Sequence, residues 1–191
     1  MTSLRHNDYL DAARASLLEV GWRRTTLTDI ARRAGVSRMT IYRAWPDMGA
    51  LIGDLMTREW LELAAQIESR VEPEMPAPER IARSVVHMVA ALRENEVFRR
   101  ILDVDPEVLL PYLLQRRGRS QEAVLVRVTE DLRAGQEAGE IRAGDPAVLA
   151  RTLLLAAHGL TLSAGTMTGE GVTVDALDGE FTELLVRGLR P

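Results

Sequence analysis

The sequence contains no cysteine and no lysine. Without cysteine, disulfides, thiolate metal sites and thiol redox chemistry are excluded. Stability has to come from a packed core, and a chain of 191 residues is long enough to build one, because folding at that size buries roughly 70% of the surface of the extended chain. The absence of lysine makes all 24 basic side chains arginine, which fits the codon usage of a GC-rich genome better than selection at any one position. Aromatic residues are scarce at 4%, and histidine occurs only as His6, His87 and His158. No two histidines stand at i and i+4, so no metal site is expected. Uninterrupted apolar runs such as Leu153 to Ala157 fall far short of the roughly 20 residues that span a bilayer, and the opening MTSLRHNDYL has no apolar segment of a secretory signal. A cytoplasmic protein with no membrane partner is expected.

What remains is the composition of an ordinary globular protein, 46% hydrophobic and 27% charged. Its formal net charge of -4 conceals an asymmetry: residues 1–58 carry nine arginines against six acids, and the remainder fifteen against twenty-two. A basic head on an acidic body suits a head that meets a polyanion.

Hydrophobic periodicity is helical nearly throughout, with no strand run bounded by hairpin signals. Leu10, Ala13, Leu17 and Val20 mark a first helix that stops at Gly21. Thr26 and Asp29 form a capping-box pattern at the start of a short helix, Leu27 to Ala34, ended by Gly35. Ser37 caps a third helix that runs to Trp45 before Pro46, and Asp47 caps a long fourth with Ile52, Met56, Trp60, Leu63 and Ile67 on one stripe. The stretch Glu72 to Glu79 holds three prolines and reads as a linker. Beyond it, helical stripes resume, with a break near Glu94 to Glu96 and separators at Gly118 to Ser120 and Gly135 to Gly139. Asp105-Pro106 and Asp145-Pro146 read as helix starts. The segment Pro146 to Ser163 is apolar on nearly all sides, which predicts the centre of the body or a subunit contact. A small-residue loop, Gly165 to Gly171, precedes a final amphipathic helix through Leu177, Phe181, Leu184, Leu185 and Leu189.

Two short helices joined by Gly35-Val36-Ser37 have the spacing of a helix-turn-helix. On a helical wheel Ile41 and Trp45 point toward Ile30, and Met39 and Arg43 point the other way, flanked by Thr40 and Tyr42. An arginine for guanine acceptors, a phenol and a hydroxyl for phosphates and an apolar Met for a thymine methyl suit a DNA major groove. Residues 9 to 51 resemble the DNA-binding domain of the TetR family of bacterial transcriptional regulators. The resemblance rests on Ala12, Ala13, Gly21, Thr25, Thr26, Asp29, Ile30, Ala31, Ala34, Gly35, Val36, Ser37, Thr40, Tyr42, Arg43, Trp45 and Pro46, taken without a gap.

The resemblance implies an all-α fold: an N-terminal three-helix helix-turn-helix DNA-binding domain in residues 1–47, and a helical bundle in residues 48–191 for ligand binding and dimerisation. It implies double-stranded DNA contacts from Thr26, Ser37, Arg38, Met39, Thr40, Tyr42 and Arg43. Met48 and Ala44 depart from the family, which often has lysine and a larger polar residue there. Capping by itself is an equal reading of Ser37, and Arg32 and Arg33 read as a solvated helix face. A homodimeric repressor with a palindromic operator, released by an apolar or cationic small molecule, is expected. Trp60, Met88, Phe98, Tyr112 and His158 are the expected effector contacts. No Ser-His-Asp order, glycine-rich phosphate loop or paired-carboxylate motif appears, so neither catalysis nor a cofactor is expected. The alternative is a helical ligand-binding protein or enzyme in which the helix-turn-helix is structural only.

Overall fold

In the computed structural model, which describes residues 2–68 and 74–191, the chain forms ten α-helices and two 3₁₀ turns, with no strand among the described residues. The helices are α1 Thr2–Val20, α2 Leu27–Arg33, α3 Arg38–Ala44, α4 Met48–Glu68, α5 Ala77–Glu94, α6 Glu96–Val104, α7 Leu110–Leu114, α8 Arg119–Glu137, α9 Pro146–Ser163 and α10 Val174–Leu189. They make two compact units, Met1–Leu61 with Glu94–Ser120, and Glu62–Arg93 with Gln121–Pro191.

The first unit is built around Leu10, Ala13 and Leu17 of α1, Leu27 and Ile30 of α2, Ile41 of α3, Trp45, and Leu51 and Leu55 of α4. Val97 and Ile101 of α6 complete this core, so a helix far along the chain packs with the helix-turn-helix. The second unit gathers Ile81, Ala82 and Val86 of α5, Leu125 and Leu132 of α8, Ile141 of the loop after α8, Leu149 and Leu153 of α9, and Leu185, Val186 and Leu189 of α10.

Caps act where the sequence places them in most cases. Asp47 accepts from the Ala50 amide at 2.7 Å and Asp145 from Ala147 at 2.8 Å, while Asn95, within the break expected near Glu94 to Glu96, caps α6 by accepting from Phe98 at 2.9 Å. The exceptions are instructive. Asp105 makes no cap bond, and Pro106–Val108 is only a 3₁₀ turn. The linker read over Glu72 to Glu79 is shorter than its prolines suggest: Glu72 and Pro73 lie outside the described residues, and α5 already begins at Ala77, with Pro78 in its first turn, where a missing N–H costs nothing. Likewise Arg119 and Ser120 belong to α8, so of the separator only Gly118 stands outside a helix. The segment Gly165 to Gly171 is partly 3₁₀ and ends in a tight turn bridging Gly169 and Val172, with Glu170 at φ 52°. In α4 the buried row is Leu51, Leu55 and Glu59 beside Ile52, and Met56 and Trp60 are half-buried. α9 is not the centre of its unit. It buries Leu149, Ala150 and Leu153 but leaves Leu155 70% exposed.

Candidate nucleic-acid interface

The two helices of the motif are held by their caps and one shared core. Thr26 Oγ1 accepts from the Asp29 amide at 3.1 Å and donates to the Asp29 carboxylate. Ser37 Oγ accepts from the Thr40 amide at 3.2 Å and lies 2.9 Å from the Thr40 hydroxyl. Gly35 at φ 66° makes the turn that L side chains resist, and no other atoms crowd it. Ile30 and Ile41 are fully buried, so the inner face of α3 is fixed. At its end, Trp45 donates through Nε1 to Asp54 of α4 at 2.7 Å and meets the Tyr9 ring edge-on at 6.3 Å.

The outer face of α3 is free of the core. Met39 is 69% and Tyr42 46% exposed, and Arg38 and Arg43 are exposed beside them. The arginines of the motif fall into two groups. Arg32 pairs with Asp29 at 3.0 Å, and Arg33 pairs with Glu19. Among the described residues Arg38 and Arg43 form no ion pair, which leaves their guanidiniums available to an external anion or base. The Asp29 carboxyl is held below the usual range first by the Thr26 hydroxyl, then by the charges of Arg32 and Arg38. The hydroxyls of Thr26, Ser37 and Thr40 are thus engaged in caps, and a phosphate contact through any of them exchanges a bond already made. Met48 packs against the first core, and Ala44 is exposed and offers no polar atom.

Of the expected effector contacts, Trp60, Phe98 and Tyr112 belong to the first unit, and Met88 and His158 to the second. Arg116 lies over the Tyr112 ring at 5.0 Å. His158 sits 3.3 Å from the Gln121 amide, and burial holds its imidazole below the usual histidine range. A recess of about 440 Å³ in the first unit, lined among others by Ser16, Glu19, Thr25, Asp29 and Arg32, includes none of these five.

Residues 10–55 match the family model described as bacterial regulatory proteins, tetR family. An HTH-type transcriptional regulator of Mycobacterium tuberculosis, itself uncharacterized, is 31% identical over 155 residues, covering 81% of this chain and 79% of the relative. The chain belongs to the TetR family. It is a transcriptional regulator of that family, and its architecture of an N-terminal helix-turn-helix followed by a helical C-terminal domain is the TetR one. The structure of the R. erythropolis transcriptional repressor QsdR superposes with a TM-score of 0.71 over 100% of this chain and 98% of that one, at 19% identity. FadR from Bacillus subtilis, in complex with stearoyl-CoA, does so with a TM-score of 0.65 over 95% and 97%, at 20% identity. At such identities the likeness is one of fold.

In this TetR-family chain the polar residues that hold α6 to the helix-turn-helix carry little signature in the sequence pattern. Glu59, buried on α4, accepts from Arg14 of α1 at 3.2 Å and from Asn95 at 3.0 Å, and Glu96 also takes Arg14 at 2.9 Å. Asp105 accepts from the Trp22 backbone N–H at 2.6 Å. These pairs lie far apart in sequence. The one local hint was a carboxylate at Glu59 beside the apolar stripe of α4.

Proposed function

We propose that this TetR-family regulator is a homodimeric repressor that binds a palindromic double-stranded DNA operator through residues 1–47 and is released by a small-molecule effector acting on residues 48–191. The observation that carries the reading is the outer face of α3. It presents Arg38, Met39, Tyr42 and Arg43 to solvent without ion-pair partners among the described residues, on a helix whose other face is locked by Ile41 and Trp45. An arginine and an apolar side chain on one rigid helix face match the donor and methyl pattern of a major groove, and tyrosine and a second arginine suit phosphates.

A second copy is the proposed occupant of the α9 and α10 surface. Val148, Leu155 and Leu162 of α9 and Leu184 of α10 are exposed large apolar residues, alternating with Ala156, Gly159 and Gly179, which permit close approach. Among the described residues Pro146–Met167 is long and apolar enough to cross a bilayer, but only 22% of that window is buried within the chain. An isologous contact would cover that stripe on both partners at once and needs no membrane. Two short recognition helices, one per protomer, would then reach successive major grooves. A cytoplasmic site of action follows from an operator as partner.

The effector is proposed to be apolar or cationic; of the residues expected to contact it, Trp60, Phe98 and Tyr112 stand in the first unit and Met88 and His158 in the second. Burial shifts His158 toward its uncharged form, and a neighbour in fold, FadR from Bacillus subtilis, is in complex with stearoyl-CoA, whose acyl chain is apolar. The test is a gel shift and footprint on DNA upstream of the protein's own gene, with light scattering on the same preparation. A dimer giving a salt-sensitive, two-fold symmetric footprint supports the reading. A stable micromolar monomer, or no sequence-selective binding, would leave the helix-turn-helix a structural element.

A further inference from the structure

Asp105 is the most buried carboxylate of the first unit, 2% exposed, and it is not used as the sequence pattern implies. Its backbone N–H closes α6 on the Ile101 carbonyl at 2.9 Å. Its side chain, instead of capping the following 3₁₀ turn, reaches back to the turn between α1 and α2. There Oδ2 accepts the Trp22 N–H at 2.6 Å, and Oδ1 lies 3.7 Å from Arg23, whose guanidinium also pairs with Glu107 at 2.5 Å. Gly21 makes this approach feasible. It holds φ at +83°, and a Cβ there would stand 3.0 Å from the Asp105 carboxylate and 3.1 Å from Val104.

The anchoring end does not move independently of the core. Val97 and Ile101 are buried to 0% and 1% exposure among the side chains of α1 to α4, and the other end of α6 is tied by Asn95 and Glu96 to Glu59 and Arg14. The held turn, for its part, runs directly into α2: Thr25 bonds back to the Gly21 carbonyl at 2.8 Å, and Thr26 is the α2 cap. The turn that this carboxylate holds thus leads directly into α2, on which α3 packs.

We propose that Asp105 is a positioning residue for operator reading: its carboxylate fixes the α1–α2 turn against the end of α6 and so sets the angle at which α3 is presented to DNA. This rests on the operator-binding function proposed above. Asp105 touches no base or phosphate in this scheme. Its loss should therefore leave the base preference of a half-site intact and blur the geometric relation between half-sites.

The experiment uses the full chain and the operator obtained by selection from random DNA. Wild type, D105N and D105A are compared on that operator and on versions with one base pair added or removed between half-sites. Leu132→Ala, a destabilising change in the core of the second unit, serves as the control for lost stability. D105N keeps the side-chain volume and an acceptor oxygen, so it remains informative where D105A does not fold. For D105N, whose amide oxygen accepts the Trp22 N–H only as a neutral partner and no longer attracts Arg23, we expect operator affinity to fall on the order of a few-fold, and further in D105A, where the bond is lost. The preference for the native spacing should shrink, base preference within each half-site should stay unchanged, and the protein should remain folded at the assay temperature. L132A should retain the spacing preference. A DNA-free readout accompanies this: exchange of the Trp22 amide should accelerate in D105N with the Ile41 amide unaffected. Equal spacing ratios for D105N and wild type would overturn the proposal. So would unchanged Trp22 exchange, whether or not DNA binds. Selection that enriches no sequence with wild type, while Trp22 exchange does accelerate in D105N, would instead bring down the operator reading and leave Asp105 a fixative of the turn alone.

Discussion

Replacing Trp45 with phenylalanine tests how the recognition helix is held. Trp45 is 1% exposed, ends α3 by donating its backbone N–H to the Ile41 carbonyl, and donates Nε1–H to Asp54 at 2.7 Å. Phenylalanine keeps one ring against Tyr9 and His6 but loses the donor and part of the volume. A hydrogen bond to a charged acceptor contributes about 1.5 to 3 kcal/mol. Asp54 keeps Arg119 at 2.6 Å and His6 at 3.7 Å, so its charge is not orphaned, which places the loss toward the low end. The cavity left by the smaller side chain adds about 1 kcal/mol. With the loss at the low end, the sum, about 2.5 to 3 kcal/mol, corresponds to a fall in Tm of about 5 to 12 °C for a chain of this length. Thermal unfolding followed by far-UV circular dichroism at one fixed protein concentration reads it, because any self-association would make Tm depend on concentration. Base preference should persist, since Arg43, Met39 and Tyr42 are untouched. A Tm within about 1 °C of wild type would refute the claim that this indole anchors α3.

Gly135→Ala should destabilise, although alanine is the better helix former by about 1 kcal/mol: a Cβ there would sit 2.4 Å from Ile141 Cδ1 and 3.1 Å from Ala77 Cβ, and overpacking costs about 1 to 3 kcal/mol. A raised Tm would show that Ile141 gives way. His158 makes stability pH-dependent: burial lowers its pKa from 6.5, so below about pH 6.5 the unfolded chain binds more protons than the folded one and stability is lost on acidification, with no contribution above that range. His158→Gln should flatten that part of the Tm profile between pH 7.5 and 5, and an unchanged profile would contradict it. Arg43→Ala should cost about 1 to 3 kcal/mol of operator binding and relax specificity at one base pair, whereas Tyr42→Phe should weaken all sequences alike. Titrations on operator variants distinguish the two, and uniform loss for Arg43→Ala would reassign it to phosphate.

The helix-turn-helix was legible because its information is local. Caps at Thr26, Ser37 and Asp47 bond within three residues, Gly21 and Gly35 sit at the positive φ values their types permit, and the wheel position of Ile41 against Arg43 follows from the helical repeat alone. What escaped the reading was non-local. That α6 joins the core of α1 to α4 depends on Val97 and Ile101, which in sequence look like any apolar stripe. Asp105 was misread as a cap because Asp-Pro is a valid helix start, and its true partner, Trp22, is 83 residues away. α9 was expected at the centre of the body or in a subunit contact. Its all-round apolarity cannot by itself tell one from the other, and the exposed Leu155 excludes the first.

The central claim, that the outer face of α3 reads DNA, is tested most directly by selecting the purified chain against random double-stranded DNA at near-physiological salt. The prediction is enrichment of one palindromic sequence whose half-sites lie about one helical turn apart, roughly 10 base pairs, or a multiple of it, bound with an affinity that falls steeply as salt rises, and lost or relaxed at one symmetric pair of positions in Arg43→Ala. A folded protein that enriches no sequence, or enriches the same sequence equally well without the side chains of Arg43 and Tyr42, would contradict it.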